Sequence, residues 1–285
     1  MLLFETCIKL AAYLVCIGIA LEFSHRLYWS INNWVISLDI SPLQRSVIST
    51  FVASIPLASA ITVTALFTFL LDNRSLLSLG LHYDGESFTK VANGAAIALG
   101  CITSVFLLGI LLGYIGVKRS RLSEDRTECL PLFLGGLIDF FNGAVFEEII
   151  FRGYIYYVLY EATGTTIAIL VSSIIFSFAH LVKHPHTPPI FTLNAFIFGL
   201  LAAVSRHFTG SLWLPIGLHF GWNVVSGPIL GLPYSGRTYD NGVVISEVSG
   251  PTWLTGGRYS LDAGALGTLA LVIAAAGLLA VAPLP

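Results

Sequence analysis

VANGAAIALGCITSVFLLGILLGYIGV, residues 91–117, runs without a single Asp, Glu, Lys or Arg. A helix rises about 1.5 Å per residue, so a bilayer core of about 30 Å needs roughly 20 apolar residues. The stretch is long enough to cross lipid, and residues 46–71 read the same way. Outward from these two, 164–182, 187–205, 208–230 and 263–281 form further uncharged spans. A shorter one, 9–21, is kept as the first membrane anchor, because Glu22, Phe23, Ser24 and His25 follow it where a secretory leader needs small residues for cleavage. Residues 129–160 are apolar but interrupted by Asp139, Glu147, Glu148 and Arg152, which predicts two short helices or one bent pair. The expected fold is all-α, a polytopic membrane helix bundle of about eight transmembrane helices forming a single membrane-embedded domain over 1–285.

Composition agrees. With 55% of the 285 residues hydrophobic and 11% charged, lipid rather than water must solvate much of the surface. Fourteen basic against 16 acidic side chains leave no basic field, which argues against a nucleic-acid partner. Cys7, Cys16, Cys101 and Cys129 show neither CxxC spacing nor a secreted disulfide pattern and read as small buried apolar residues.

The segments 72–90 and 118–128 carry charge and read as connections. Residues 231–260, rich in Gly and Pro, are long for a loop and read as a solvated connection, with closure over the mouth of a site as the alternative. Arg26, Arg45, Lys118, Arg119, Arg121 and Arg126 in the loops after the first and third helices outnumber Lys9, Arg74 and Lys90 opposite, which puts the N-terminus outside. The expected location is the cell (inner) membrane, multi-pass, with the lipid bilayer as permanent partner.

Ionisable residues at the centre of a membrane helix cost about 2.5–3.5 kcal/mol each on insertion scales, so they mark a protein-lined or water-filled cavity. In Phe146-Glu147-Glu148-Ile149-Ile150-Phe151-Arg152-Gly153, Glu148 and Arg152 are four apart and stack on one helix face, while Glu147 lies about 100° around. One carboxylate can thus be locked to the guanidinium while the other stays free to accept a proton. His180 follows Phe176 by one turn, and His219 precedes Asn223 by one turn, so imidazole and carboxamide point into the same space. A carboxylate and an imidazole can deprotonate water and return the proton to a leaving amine. A second imidazole and a carboxamide can donate to an oxyanion. Equally, His180, His219 and a Glu could bind a divalent metal such as zinc, although the HExxH signature is absent. The same acids and histidines also suit a transporter or proton channel, or a silent scaffold that grips a peptide.

In their order, Glu147-Glu148-Ile149-Ile150-Phe151-Arg152, Phe176 to His180 and His219 to Asn223 resemble the EExxxR, FxxxH and HxxxN motifs of the CPBP intramembrane proteases, the CAAX-processing and bacteriocin-processing enzymes also called the Abi family. Weaker likeness extends to residues 75–81 and 249–257. The resemblance implies an intramembrane endopeptidase with its catalytic core at about 140–225. It further implies that Glu147 and His180 activate water, that His219 and Asn223 stabilise the oxyanion, and that Glu148 and Arg152 orient the site, Glu148 sharing the catalytic role. A membrane-associated peptide or protein is the implied substrate, and metal stays open. Asp139 departs from the pattern and reads as a buried hydrogen-bonding residue or a proton-pathway group. His184 and His186 read as interfacial residues, Asn194 as a bond to a neighbouring helix, and Gly199 as a close-packing residue.

Overall fold

In the computed structural model, which describes residues 2–120, 126–183, 186–233, 239, 242–259 and 261–281, the apolar runs become helices. In lipid a backbone N–H or C=O finds no partner except within the chain, and a helix supplies them all. In order these are α1 (Leu2–Ser37), α2 (Pro42–Val52), α3 (Ile55–Asp72), α4 (Ser87–Leu111), α5 (Arg126–Glu148), α6 (Tyr156–Thr163), α7 (Thr165–Lys183), α8 (Pro189–Thr209), α9 (Trp213–Val224), the single turn α10 (Thr252–Thr255) and α11 (Ala265–Val281). Two π-helical turns interrupt the pattern, Ile149–Ile155 between α5 and α6 and Val225–Ile229 after α9. The chain is therefore an all-α membrane bundle, with one small exception. Strands β1 (Ile115–Ser120) and β2 (Val244–Val248) pair antiparallel, Ile115 opposite Val248 and Ser120 opposite Val244.

Among the described residues, five helical stretches are long and apolar enough to cross a membrane: Leu3–Ser37, Val47–Asp72, Ser87–Leu111, Thr165–Lys183 and Pro189–Thr209. The shorter α11 and α9 and the charge-bearing α5 complete the bundle. The boundaries differ from the hydropathy reading in several places; the span 46–71, for one, divides into α2 and α3. The first span is not 9–21 but the whole of α1, since Glu22 and Arg26 pair with each other at 2.7 Å along the helix and do not end it. The span 91–117 stops at Leu111, and its last residues enter β1. The span 208–230 breaks at Gly210, whose φ of 62° suits glycine, so α8 and α9 are separate helices. Of the connections, Arg121 and His184 lie outside the described residues.

Small residues fix the arrangement. Where α9 crosses α4, a Cβ on Gly217 would stand 2.2 Å from the Val91 carbonyl oxygen, and one on Gly94 would stand 2.4 Å from that of Leu214. Only bare backbone fits there, the small-residue logic of helix association in lipid. Gly199 does the same for α8 against Ser173 of α7, with a notional Cβ at 3.0 Å from that of Ser173. On the other flank, Tyr13 of α1 shares a buried 2.8 Å hydrogen bond with Thr64 of α3, and Lys9 reaches Asp72 at 2.7 Å. Outward faces carry Phe4, Ile19, Phe69, Leu111 and Leu279, all exposed, as a lipid-facing surface should. The C-terminal segment returns to the bundle through Asn194 of α8, whose amide donates to the carbonyls of Asp262 at 2.8 Å and Gly264 at 3.1 Å. Thr268 of α11 donates to the oxygen of the same side chain at 2.8 Å.

Candidate active site

Glu147 and Glu148 end α5 at the point where the helix widens into the π turn Ile149–Ile155, every residue of which is buried. π turns inside helices are frequently found at functional sites, because the wider turn re-aims the side chains around it. Here it leaves the two carboxylates in different surroundings. Glu148 and Arg152 are wholly buried, whereas Glu147 retains 16% and His180 21% of side-chain exposure, so Glu147 is the more open of the two carboxylates.

Glu148 Oε1 accepts from His219 Nδ1 at 2.8 Å and from Arg152 Nη1 at 3.3 Å. The guanidinium carbon of Arg152 lies 4.1 Å from the centre of the Phe176 ring, a cation–π contact of about 2 kcal/mol when desolvated. Phe176 thus links two motifs, packing on Arg152 and, at 4.4 Å between ring centres, on His180. Arg152 and Glu148 hold His219 from behind the site, since a buried charge is tolerable only when paired.

The imidazole tautomers follow from their partners. A carbonyl oxygen only accepts, so His180 Nδ1, 3.0 Å from the Phe176 carbonyl, carries its hydrogen. The Glu148 carboxylate assigns the Nδ1 hydrogen of His219 in the same way. Both Nε2 atoms then turn to Glu147, at 3.7 Å from His180 and 3.8 Å from His219. These separations exceed a hydrogen bond and have the span that one shared water bridges. Glu147 Oε2 is buried and has no hydrogen-bond partner in the protein, the condition of a group that awaits one.

This point opens on a cavity of about 310 Å³. Phe140, Phe146, Phe191, Phe198 and Trp222 give it apolar walls, and Asn223 stands on the wall beside His219. Of the residues expected from the sequence, Glu147, His180, His219 and Asn223 line the cavity, while Glu148 and Arg152 sit behind it. Asp139 also lines it, at an exposed rather than a buried position. His186 is exposed in the turn before α8 and is not among the lining residues. Asn194 does double duty, lining the cavity while tethering the C-terminal segment.

Asp262 and Trp222 were not singled out by sequence reading, yet both line the cavity, and Trp222 Nε1 donates to Asp262 Oδ1 at 2.8 Å. Trp222 was findable, lying inside the HxxxN motif. Asp262 gave no local signal, because it lies beyond the long loop. Among the described residues no three His, Cys, Asp or Glu side chains converge closely enough to hold a metal ion.

Residues 130–225 match the family model described as Type II CAAX prenyl endopeptidase Rce1-like. The chain is also similar to a Bacillus subtilis (strain 168) protein named "Putative membrane peptidase YdiL", 34% identical over 100 residues, or 35% of this chain and 37% of the relative. The match thus spans little more than a third of that curated relative's length. No solved structure matches. Every residue of the Glu147, His180 and His219 constellation falls inside the matched segment, so the site lies in the part of the chain that is similar to the CAAX-type membrane endopeptidases.

Proposed function

We propose that this chain is an intramembrane endopeptidase that hydrolyses a peptide bond of a membrane-associated peptide or protein near the membrane surface. The carrying observation is the unpartnered oxygen of Glu147 facing two imidazole Nε2 atoms at 3.7 and 3.8 Å across the edge of an apolar cavity. A water held there meets acceptors only and is polarised along its O–H bonds.

In this reading Glu147, assisted by His180, takes a proton from the water while the water oxygen bonds to the scissile carbonyl carbon. The C=O π pair moves onto oxygen, where the Asn223 amide donates to the oxyanion, and His219 donates as well when the proton taken by Glu147 shifts onto its Nε2 and back. On collapse the C–N bond breaks, and the proton held by Glu147 or His180 passes to the leaving nitrogen. Glu148 and Arg152 orient His219 throughout, much as a buried carboxylate orients the histidine of a hydrolytic triad. The Rce1-like match supports a prenylated C-terminal peptide as the first substrate to try; a bacteriocin leader or a sorting-signal peptide would suit a membrane site as well.

The test is cleavage of a mixed peptide library, including prenylated C-terminal peptides, by the purified detergent-solubilised protein, with and without chelator. Cleavage that is lost in Glu147→Ala and survives the chelator is the expected result. Wild-type cleavage abolished by the chelator would replace this mechanism with a metal-dependent one. Proton or solute flux in proteoliposomes without any cleavage would replace the enzyme with a transporter.

A further inference from the structure

The cavity is completed by a residue from far along the chain. Asp262 lies in the 3-10 turn Leu261–Ala263, outside the segment 130–225 that matches the family model. Its Oδ1 accepts from Trp222 Nε1 at 2.8 Å. Trp222 is 6% exposed, and a buried indole N–H is costly unless it finds an acceptor. The tryptophan is three residues beyond His219 and adjacent to Asn223 on α9, and Phe198 of α8 packs against both its ring, at 5.7 Å, and the His219 ring, at 5.1 Å. The turn that carries Asp262 is itself clamped, since the Asn194 amide donates to the Asp262 carbonyl and Thr268 holds the Asn194 oxygen. The chain therefore runs rigidly from α8 through Asn194 to Asp262 and on to Trp222, with the two oxyanion candidates on the helix at its end.

We propose that Asp262 is a positioning residue of this site: its carboxylate holds the Trp222 indole and thereby sets the rotation of the α9 face that presents His219 and Asn223 to Glu147. The inference rests on the peptidase reading above for its kinetic consequence, but the placement of α9 can be measured without turnover. Positional errors near 1 Å are known to cost about a hundredfold in rate, so a small rotation of α9 suffices to be seen. An interaction realised in the transition state reads out in kcat, and two residues acting as one unit do not add.

The experiment compares Asp262→Ala, Asp262→Asn, Trp222→Phe and the double variant Asp262→Ala/Trp222→Phe, each normalised to folded protein by thermal melting in detergent. Asp262→Ala and Trp222→Phe should each lower kcat about tenfold or more with KM within about twofold, and the double variant should be no worse than either single one. Asp262→Asn, which keeps an acceptor oxygen for the indole, should stay within about threefold of wild type. Unchanged kcat in Asp262→Ala, additive losses in the double variant, or an Asn variant as impaired as Ala would each overturn the proposal. Should the wild type cleave none of the peptides offered, the peptidase reading falls, and carbethoxylation of His219 by diethylpyrocarbonate, followed by mass spectrometry, decides this one alone. The rate should rise severalfold in Asp262→Ala and not in Asp262→Asn; equal rates in wild type and Asp262→Ala would overturn it.

Discussion

His219 Nδ1 lies 2.8 Å from Glu148 Oε1, although 71 residues separate them in sequence. Through this contact the end of α5 fixes which nitrogen of the α9 imidazole faces the cavity, and the pair closes on Arg152 behind it. It also divides the adjacent glutamates: Glu148 is spent on holding His219, and Glu147 is left with an oxygen free for a water or substrate.

That division predicts unequal phenotypes at the exposed face of the site. Glu147→Gln and His180→Ala should lower kcat by about 10²–10⁴ while leaving the melting temperature near wild type, because neither makes a contact that another element depends on. Peptide turnover alongside a detergent melting curve checks this. Wild-type turnover in Glu147→Gln would remove Glu147 from the mechanism.

Arg152 should behave in the opposite way. Arg152→Met leaves Glu148 buried with its main countercharge gone, and breaking a buried pair from one side costs about 3–5 kcal/mol. The variant should melt well below wild type or fail to accumulate, and replacing Glu148 as well, with Gln, should recover part of the loss. A melting temperature unchanged in Arg152→Met would show that the pair carries no structural weight.

The glycine seam gives a prediction about α9 placement. Gly217→Ala sets a methyl against the Val91 carbonyl at 2.2 Å and should cost about 1–3 kcal/mol, lowering activity with stability as α9 is pushed from α4. Gly18→Ala in α1 has nothing within 4 Å of the new methyl and should be neutral or slightly stabilising. Thermal melts of the two variants side by side separate close packing from a general intolerance of substitution.

Asp84, in the loop ahead of α4 and outside the spans, is held at about 2, well below its ordinary 3.8, chiefly by the hydrogen bond from Lys90 and then by that from Ser87. Since folding depresses this carboxyl, its contribution is complete above pH 3.8 and is lost as pH falls through about 2. Wild type should therefore melt above Asp84→Ala at neutral pH, with the gap closing below pH 4. The gap should be small, because the site is exposed. A gap that is constant from pH 7 to pH 2 would mean the charge plays no part.

Legibility followed the range of the interactions. The membrane character of 46–71, 91–117, 164–182 and 187–205 could be read from hydropathy alone, because transfer into lipid is a sum over local residues. Glu148 with Arg152, Phe176 with His180 and His219 with Asn223 could be read from i, i+4 spacing, since one helical turn is a local relation too. The span boundaries were less legible. The break at Gly210 and the conversion of Ile115–Ser120 into a strand depend on what packs alongside, β2 in the second case, and hydropathy carries no such term.

The sequence by itself thus determined the solvent of this protein, its helical class and the three short motifs whose polar groups lipid would not tolerate without a purpose. Tertiary structure alone decided that the motifs meet, that Glu147 rather than Glu148 faces the cavity, and that Asp262 from the far end of the chain holds Trp222. The reason is physical. Turn-by-turn periodicity and lipid transfer act between neighbours in sequence, whereas the approach of α9 to α4 through Gly94 and Gly217, and the widening of α5 into its π turn, arise only when whole helices are pressed together.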